Sequence, residues 1–94
     1  MKTSYFLEIE CQCPADPSVV DQYQCTIKAS FMIRVEDIKA AVTELTRQPM
    51  FQEDLAQALA RKLGADVKLE GEHQNVWTEC EVILNRDRSE SGVY

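Results

Sequence analysis

Glycine is scarce in this chain, with 3 in 94 residues. Phosphate-cradling loops need glycines at fixed offsets so that backbone N–H groups can approach an anion. The scattered Gly64, Gly71 and Gly92 build no such loop. Histidine is scarcer still: His73 is the only one. No Gly-x-Ser-x-Gly elbow is present to expose a serine nucleophile. Positive charge is also short, with 10 Lys and Arg against 16 Asp and Glu and a net charge of −6. Neutralising phosphates takes clustered Lys and Arg, so direct binding of nucleic acid is not expected. Acidity of this size serves solubility or meets a basic partner. Long apolar runs are missing too. Glu8 and Glu10 interrupt the N-terminal stretch, leaving neither a membrane span nor a signal peptide. The expectation is a cytoplasmic protein with no membrane partner, whose four cysteines (Cys11, Cys13, Cys25, Cys80) stay reduced.

What remains is a chain of ordinary hydrophobic content, 45%, long enough for a single core. Its information lies in the order of its periodicities. From Tyr5 to Cys13 the odd positions are Tyr, Leu, Ile, Cys and Cys, and the even ones include Glu8, Glu10 and Gln12. Such alternation predicts a half-buried strand. Pro14 to Ser18 breaks it, because two prolines and an aspartate cannot continue a ladder. A second alternation puts Tyr23, Cys25, Ile27, Ala29, Phe31 and Ile33 on one face.

At Val35 the period becomes helical. Val35, Ile38, Ala41, Val42 and Leu45 make one apolar stripe, with Glu36 and Asp37 in the first turn where the helix dipole favours anions. Pro49 is expected to open a second helix. Phe51, Leu55, Ala58, Leu59 and Leu63 form its stripe, Arg61 and Lys62 its last turn, and Gly64 its left-handed stop. Val67 and Leu69 then alternate with Lys68 and Glu70, and a turn over Gly71–Asn75 leads to a last alternation of Val76, Thr78, Cys80, Val82 and Leu84.

The reading is an α+β fold of order β-β-α-α-β-β: a four-stranded antiparallel sheet with two helices packed on one face. Residues 1–84 form the single domain, and 85–94 are expected to be a flexible C-terminal tail. A ferredoxin-like sandwich needs a helix between the first two strands, and the proline-broken Pro14–Gln22 segment is too short for one.

Candidate chemistry is thin. Cys11, Cys13 and Cys25, with Cys80 or His73 as a fourth ligand, would offer zinc donors, and Cys13–Cys25 would offer a disulfide. Yet all four cysteines lie on the apolar phase of their strands, where a free thiol is a small hydrophobe. The expectation is therefore no metal and no cofactor. His73 falls in the expected turn beside Glu72 and near Glu70, as a solvated histidine or a carboxylate-held acid–base group. Gln52, Glu53 and Asp54 open the second helix, where dipole and capping alone explain acids. The functional reading of Glu53 is an acceptor for an amidine-like ligand edge.

The element order resembles the tunnelling fold of pterin- and purine-handling enzymes, GTP cyclohydrolase I among them. The stretch Arg47-Gln-Pro-Met-Phe-Gln52-Glu53-Asp-Leu, then Ala-Gln-Ala-Leu, then Val-Lys-Leu-Glu-Gly-Glu-His73, is similar to that family's second helix and third strand. The resemblance covers about forty residues, Arg47 to Cys80. It implies that Gln52 and Glu53 grip a planar guanine-like edge and that His73 stands for the family's strand-end histidine. Asn75 replaces the zinc cysteine that follows that histidine, and the upstream zinc cysteine and histidine have no counterpart, so cyclohydrolase activity is not implied.

Three functions follow as expectations. The first is a small acidic, non-enzymatic protein that self-associates into a homo-oligomer or binds a protein partner, through Phe6, Met32, Trp77 and Ile83 on the otherwise polar sheet face. The second is a pterin- or purine-binding tunnelling-fold protein anchored by Glu53. The third is an acidic inhibitor whose Glu8, Glu10, Glu70, Glu72, Glu79 and Glu81 mimic nucleic-acid phosphates, although six glutamates also describe a solvated sheet.

Overall fold

Alternation carries the sheet. In the computed structural model, which describes residues 1–84, strand β1 (Thr3–Gln12) pairs antiparallel with β2 (Val20–Ala29) along its whole length, from Thr3↔Ala29 to Gln12↔Val20. Helices α1 (Val35–Leu45) and α2 (Gln52–Leu63) follow, and β3 (Asp66–His73) and β4 (Val76–Val82) close the domain as a second antiparallel pair. The sheet order is β1-β2-β3-β4, with β3 lying against β2. This is the α+β fold of order β-β-α-α-β-β. The proposed tail at 85–94 lies outside the described residues.

The core sits between sheet and helices. Ile9, Cys11, Tyr23, Cys25, Ile27, Val67 and Leu69 supply the sheet side, while Ile38, Ala41, Leu55, Ala56, Leu59 and Ala60 supply the helical side. Helix α2 lies against β3 and β4, and α1 packs beside α2. Gly64 closes α2 with φ 65, its N–H bonded to the Ala60 carbonyl. A left-handed residue at this position favours glycine because no Cβ meets the following carbonyl.

Four local expectations are corrected. Strand β2 stops at Ala29, short of Ile33, because its partner β1 begins at Thr3 and the chain must leave the sheet for the helical layer. Phe31 is left exposed, while Ile33 turns inward and donates its N–H to the Tyr5 hydroxyl at 2.7 Å. Pro49 does not open α2, which starts at Gln52. The preceding segment instead runs beside the end of β1, where the Met50 N–H bonds the Gln12 carbonyl at 3.1 Å. Val35 and Phe51, expected in the apolar stripes, stay exposed at the open ends of the helices.

The last correction concerns the β3–β4 turn. It is only Gln74-Asn75, at φ 50 and 68, a left-handed pair matching the twist of a tight hairpin. Gly71 and His73 are therefore strand residues, not turn residues. Gly71 is buried for a steric reason: a Cβ there would lie 2.4 Å from the Gln22 carbonyl oxygen.

Two substitutions test this packing by urea denaturation. Leu59→Ala, which empties the centre of the core, should cost about 2–5 kcal/mol. Gly71→Ala, which forces β3 away from β2, should cost about 1–3 kcal/mol. A neutral Gly71→Ala would show that the two strands do not approach as described.

Candidate functional site

The inward phase of β2 reads Asp21, Tyr23, Cys25, Ile27, and that of β3 reads Val67, Leu69, Gly71, His73. Each phase is apolar in the middle of the sheet and polar at the same end. Antiparallel pairing brings those polar ends together. Asp21 is buried, its side chain only 7% exposed, so its carboxylate must find partners inside the protein. His73 Nδ1 lies 2.7 Å from Asp21 Oδ1. The Tyr23 hydroxyl donates to Oδ2 at 3.4 Å.

The third member is Cys13. It follows β1 directly, and its N–H bonds the Val19 carbonyl at 3.0 Å, closing the β1–β2 loop. Within that loop the Asp16 carboxylate accepts from the Ser18 N–H at 3.1 Å and the Ser18 hydroxyl at 2.7 Å, which holds its carboxyl below the usual range. The loop thus fixes Cys13 beside the first inward residue of β2. The ligating atoms of Cys13, Asp21 and His73 all lie within 4.8 Å of one another. Cys13 and Asp21 are buried, and the His73 ring, 34% exposed, is the member reaching solvent. A thiol, a carboxylate and an imidazole are the residue types from which a nucleophile with an acid–base pair can be built.

The other cysteines differ. All four are free, so the Cys13–Cys25 disulfide is absent. Cys11 turns its thiol towards the Gln48 and Met50 carbonyls, at 3.9 and 3.8 Å. Burial, reinforced by the Asp21 charge, pushes that thiol up even though the Met50 contact opposes the shift. Cys25 lies mid-sheet, where burial pushes it up to about 12. Cys80 is raised by burial and then by the nearby Glu53 charge. Burial, followed by the Asp21 charge, drives the Tyr23 phenol well above its ordinary range, which suits it to donate to Asp21 rather than ionise.

The residues expected from the sequence are dispersed. Gln52 is tied to the sheet: its amide donates to the Leu69 carbonyl at 2.8 Å and the Thr78 carbonyl at 3.3 Å, and its oxygen accepts from the Thr78 hydroxyl at 2.7 Å. It docks the start of α2 on β3 and β4. Glu53 is exposed near Cys80, and among the described residues no hydrogen bond joins Gln52 or Glu53 to His73. The partner of His73 is Asp21, not the neighbouring Glu70 or Glu72.

Phe6 and Trp77, 75% and 56% exposed, sit on β1 and β4, the opposite edges of the sheet. Exposed Met32 lies between β2 and α1, and half-buried Ile83 follows β4. The four do not share one strand or one edge. The outward glutamates are interleaved with Lys68, which approaches Glu79 at 3.5 Å and Glu70 at 4.0 Å. Among the described residues no helix is long and apolar enough to cross a membrane.

No family model and no curated protein matches the sequence. In structure the chain is similar to the apo form of the archaeosine synthase QueF-Like. That match has a TM-score of 0.76 and 18% sequence identity, and covers 86% of this chain and 90% of that one. At this identity the likeness shows the fold alone. It agrees with the tunnelling-fold resemblance at the level of the fold.

The buried thiol in mid-sheet predicts an alkaline stability profile. Cys25 ionises near 9.0 when unfolded but near 12 when folded, so the folded chain binds the proton more tightly. Stability is then full below pH 9 and falls as pH rises towards 12, by on the order of 4 kcal/mol. Tyr23, also raised, adds to the loss above its ordinary value of 10.0. Urea midpoints measured from pH 8 to 12 should decline, and Cys25→Ala should flatten the decline despite lower stability at neutral pH. An unchanged slope would refute the assignment to Cys25.

Proposed function

We propose that this chain is a tunnelling-fold protein that takes a planar purine- or pterin-like base and reacts with it through Cys13. The observation that carries the reading is the convergence of Cys13, Asp21 and His73 within 4.8 Å at one end of the sheet. The non-enzymatic expectation rested on a lack of convergent catalytic groups, and the convergence of these three side chains favours the alternative. The structural neighbour's name, an archaeosine synthase, supports a modified nucleoside base as the substrate class.

The chemistry follows from the three groups. His73, paired with Asp21, accepts the thiol proton, and the resulting thiolate adds to an electrophilic carbon–nitrogen multiple bond of the base. A carbon–sulfur bond forms, the π pair moves to nitrogen, and the proton held by His73 is delivered to that nitrogen. The product is a covalent adduct, balanced without an oxidant or a reductant. Asp21 orients the ring and stabilises the imidazolium, while Tyr23 holds the other carboxylate oxygen. Glu53 remains the proposed anchor for the base, supplied to a site completed by a neighbouring copy.

Assembly belongs to the same reading. The sheet order leaves β1 and β4 as edges, and open edges invite pairing. A head-to-tail contact of β1 with β4 of the next copy extends the sheet and buries Phe6 and Trp77. Repetition of a heterologous contact closes a ring when the rotation allows it.

Two measurements test the proposal. With cysteine-resolved iodoacetamide kinetics, Cys13 should react faster than Cys11 and Cys25, and His73→Gln should slow it by about tenfold. Guanine, pterin, urate and archaeosine, screened by thermal shift, should yield at least one stabilising compound whose effect is lost in Glu53→Ala. A Cys13 no more reactive than Cys25, with no shift from any compound, would overturn it. For the assembly, light scattering should find an oligomer that Phe6→Ser with Trp77→Ser dissociates while circular dichroism is preserved. A wild-type monomer would remove this part.

A further inference from the structure

Cys13, Asp21 and His73 offer one sulfur, one oxygen and one nitrogen to a common point, and two of the three residues are buried. We propose that these three side chains also form a site for a zinc-class divalent cation, and that its occupancy silences the Cys13 thiol. The inference rests on the thiol-centred reading of the same site and names a regulator for it.

Donor type selects the ion class. Mixed sulfur, nitrogen and carboxylate donors suit zinc-like ions, whereas magnesium and calcium want shells built from oxygen. Donor number selects the kind of site. Three protein ligands with a fourth position open to water describe a reactive zinc centre rather than a closed structural one. Tetrahedral zinc holds its ligand atoms roughly 3.3–3.8 Å apart, as its bond lengths require. The atoms lie within 4.8 Å of one another and His73 Nδ1 stands 2.7 Å from Asp21 Oδ1, so about 1 Å of side-chain adjustment that opens this hydrogen bond and closes the wider gaps reaches that spacing.

Charge favours occupancy as well. Asp21 is a buried anion facing a neutral or singly charged ring, and a dication balances the carboxylate and the thiolate together. Binding releases the thiol proton and forms a sulfur–metal bond, which ties up the lone pair needed for attack. Cys11, on the same strand face, turns its thiol to the Gln48 and Met50 carbonyls instead. The set differs from the zinc site of the cyclohydrolases, whose cysteine after the strand-end histidine is Asn75 here.

Zinc ion alone is the probe, titrated into the full chain against a chromophoric chelator. One equivalent should bind, and Cys13→Ser, Asp21→Asn and His73→Gln should each weaken binding by at least the roughly 10- to 100-fold that loss of an outer-shell partner costs a metal site. Cys80→Ala should leave it unchanged. The wild-type chain supplies an arm that no folding defect can spoil: equimolar zinc should protect Cys13 from iodoacetamide, and EDTA should restore the reaction. Zinc without effect on Cys13 labelling, or binding equally well to Cys13→Ser, would overturn the metal site. The EDTA arm reports separately on the thiol. A Cys13 that is slow there defeats the nucleophile reading, whatever zinc does.

Discussion

A buried carboxylate sets the terms for one end of this molecule. Asp21 points into the protein from the first inward position of β2, where an unpartnered anion would cost several kcal/mol. Its partner is His73, 52 residues away, at the last position of β3. The contact therefore exists only if the two hairpins lie side by side in the observed register. It joins the opening pair of strands to the closing pair, across a helical layer that the chain must complete first.

The rest of the fold holds that contact in place. The Ile27, Leu69, Leu55 and Leu59 core fixes the sheet against α2, and Gln52 fastens the start of α2 to the Leu69 and Thr78 carbonyls. Gly71, two residues before His73, lets β3 approach the β2 backbone closely enough for the ring to meet the carboxylate. On the other side, the Asp16–Ser18 turn and the Cys13–Val19 bond fold the β1–β2 loop so that a thiol arrives next to both. The cluster of Cys13, Asp21 and His73 is the product of three local constraints meeting at one end of the sheet.

Much of the architecture was legible because periodicity reports which face is buried. The alternation of β1, the stripe of α2 and the stop at Gly64 all follow from side-chain pattern and backbone strain. The site was not legible, for a specific reason. Reading Tyr23 as the start of β2 cut off Asp21, and assigning Gly71 to a turn cut off His73. Extending the β2 alternation back by one step and the β3 alternation forward by two places both residues on the inward phase, so the signal was present at the strand ends. What no pattern supplied was the register between β2 and β3, which decides that Asp21 meets His73 rather than Glu72. Gln52 differs: its residue type suits ligand recognition, and its amide bonds the Leu69 and Thr78 carbonyls.

The pairing of Asp21 with His73 is the contact on which the cluster depends. Nitrogen-edited NMR of the single imidazole measures this directly at neutral pH. A paired ring shows one tautomer, protonated at Nδ1 with slowed solvent exchange, and Asp21→Asn converts it to the mixed, rapidly exchanging ring of a solvated histidine. A wild-type spectrum already of the second kind, indifferent to Asp21→Asn, would contradict the account.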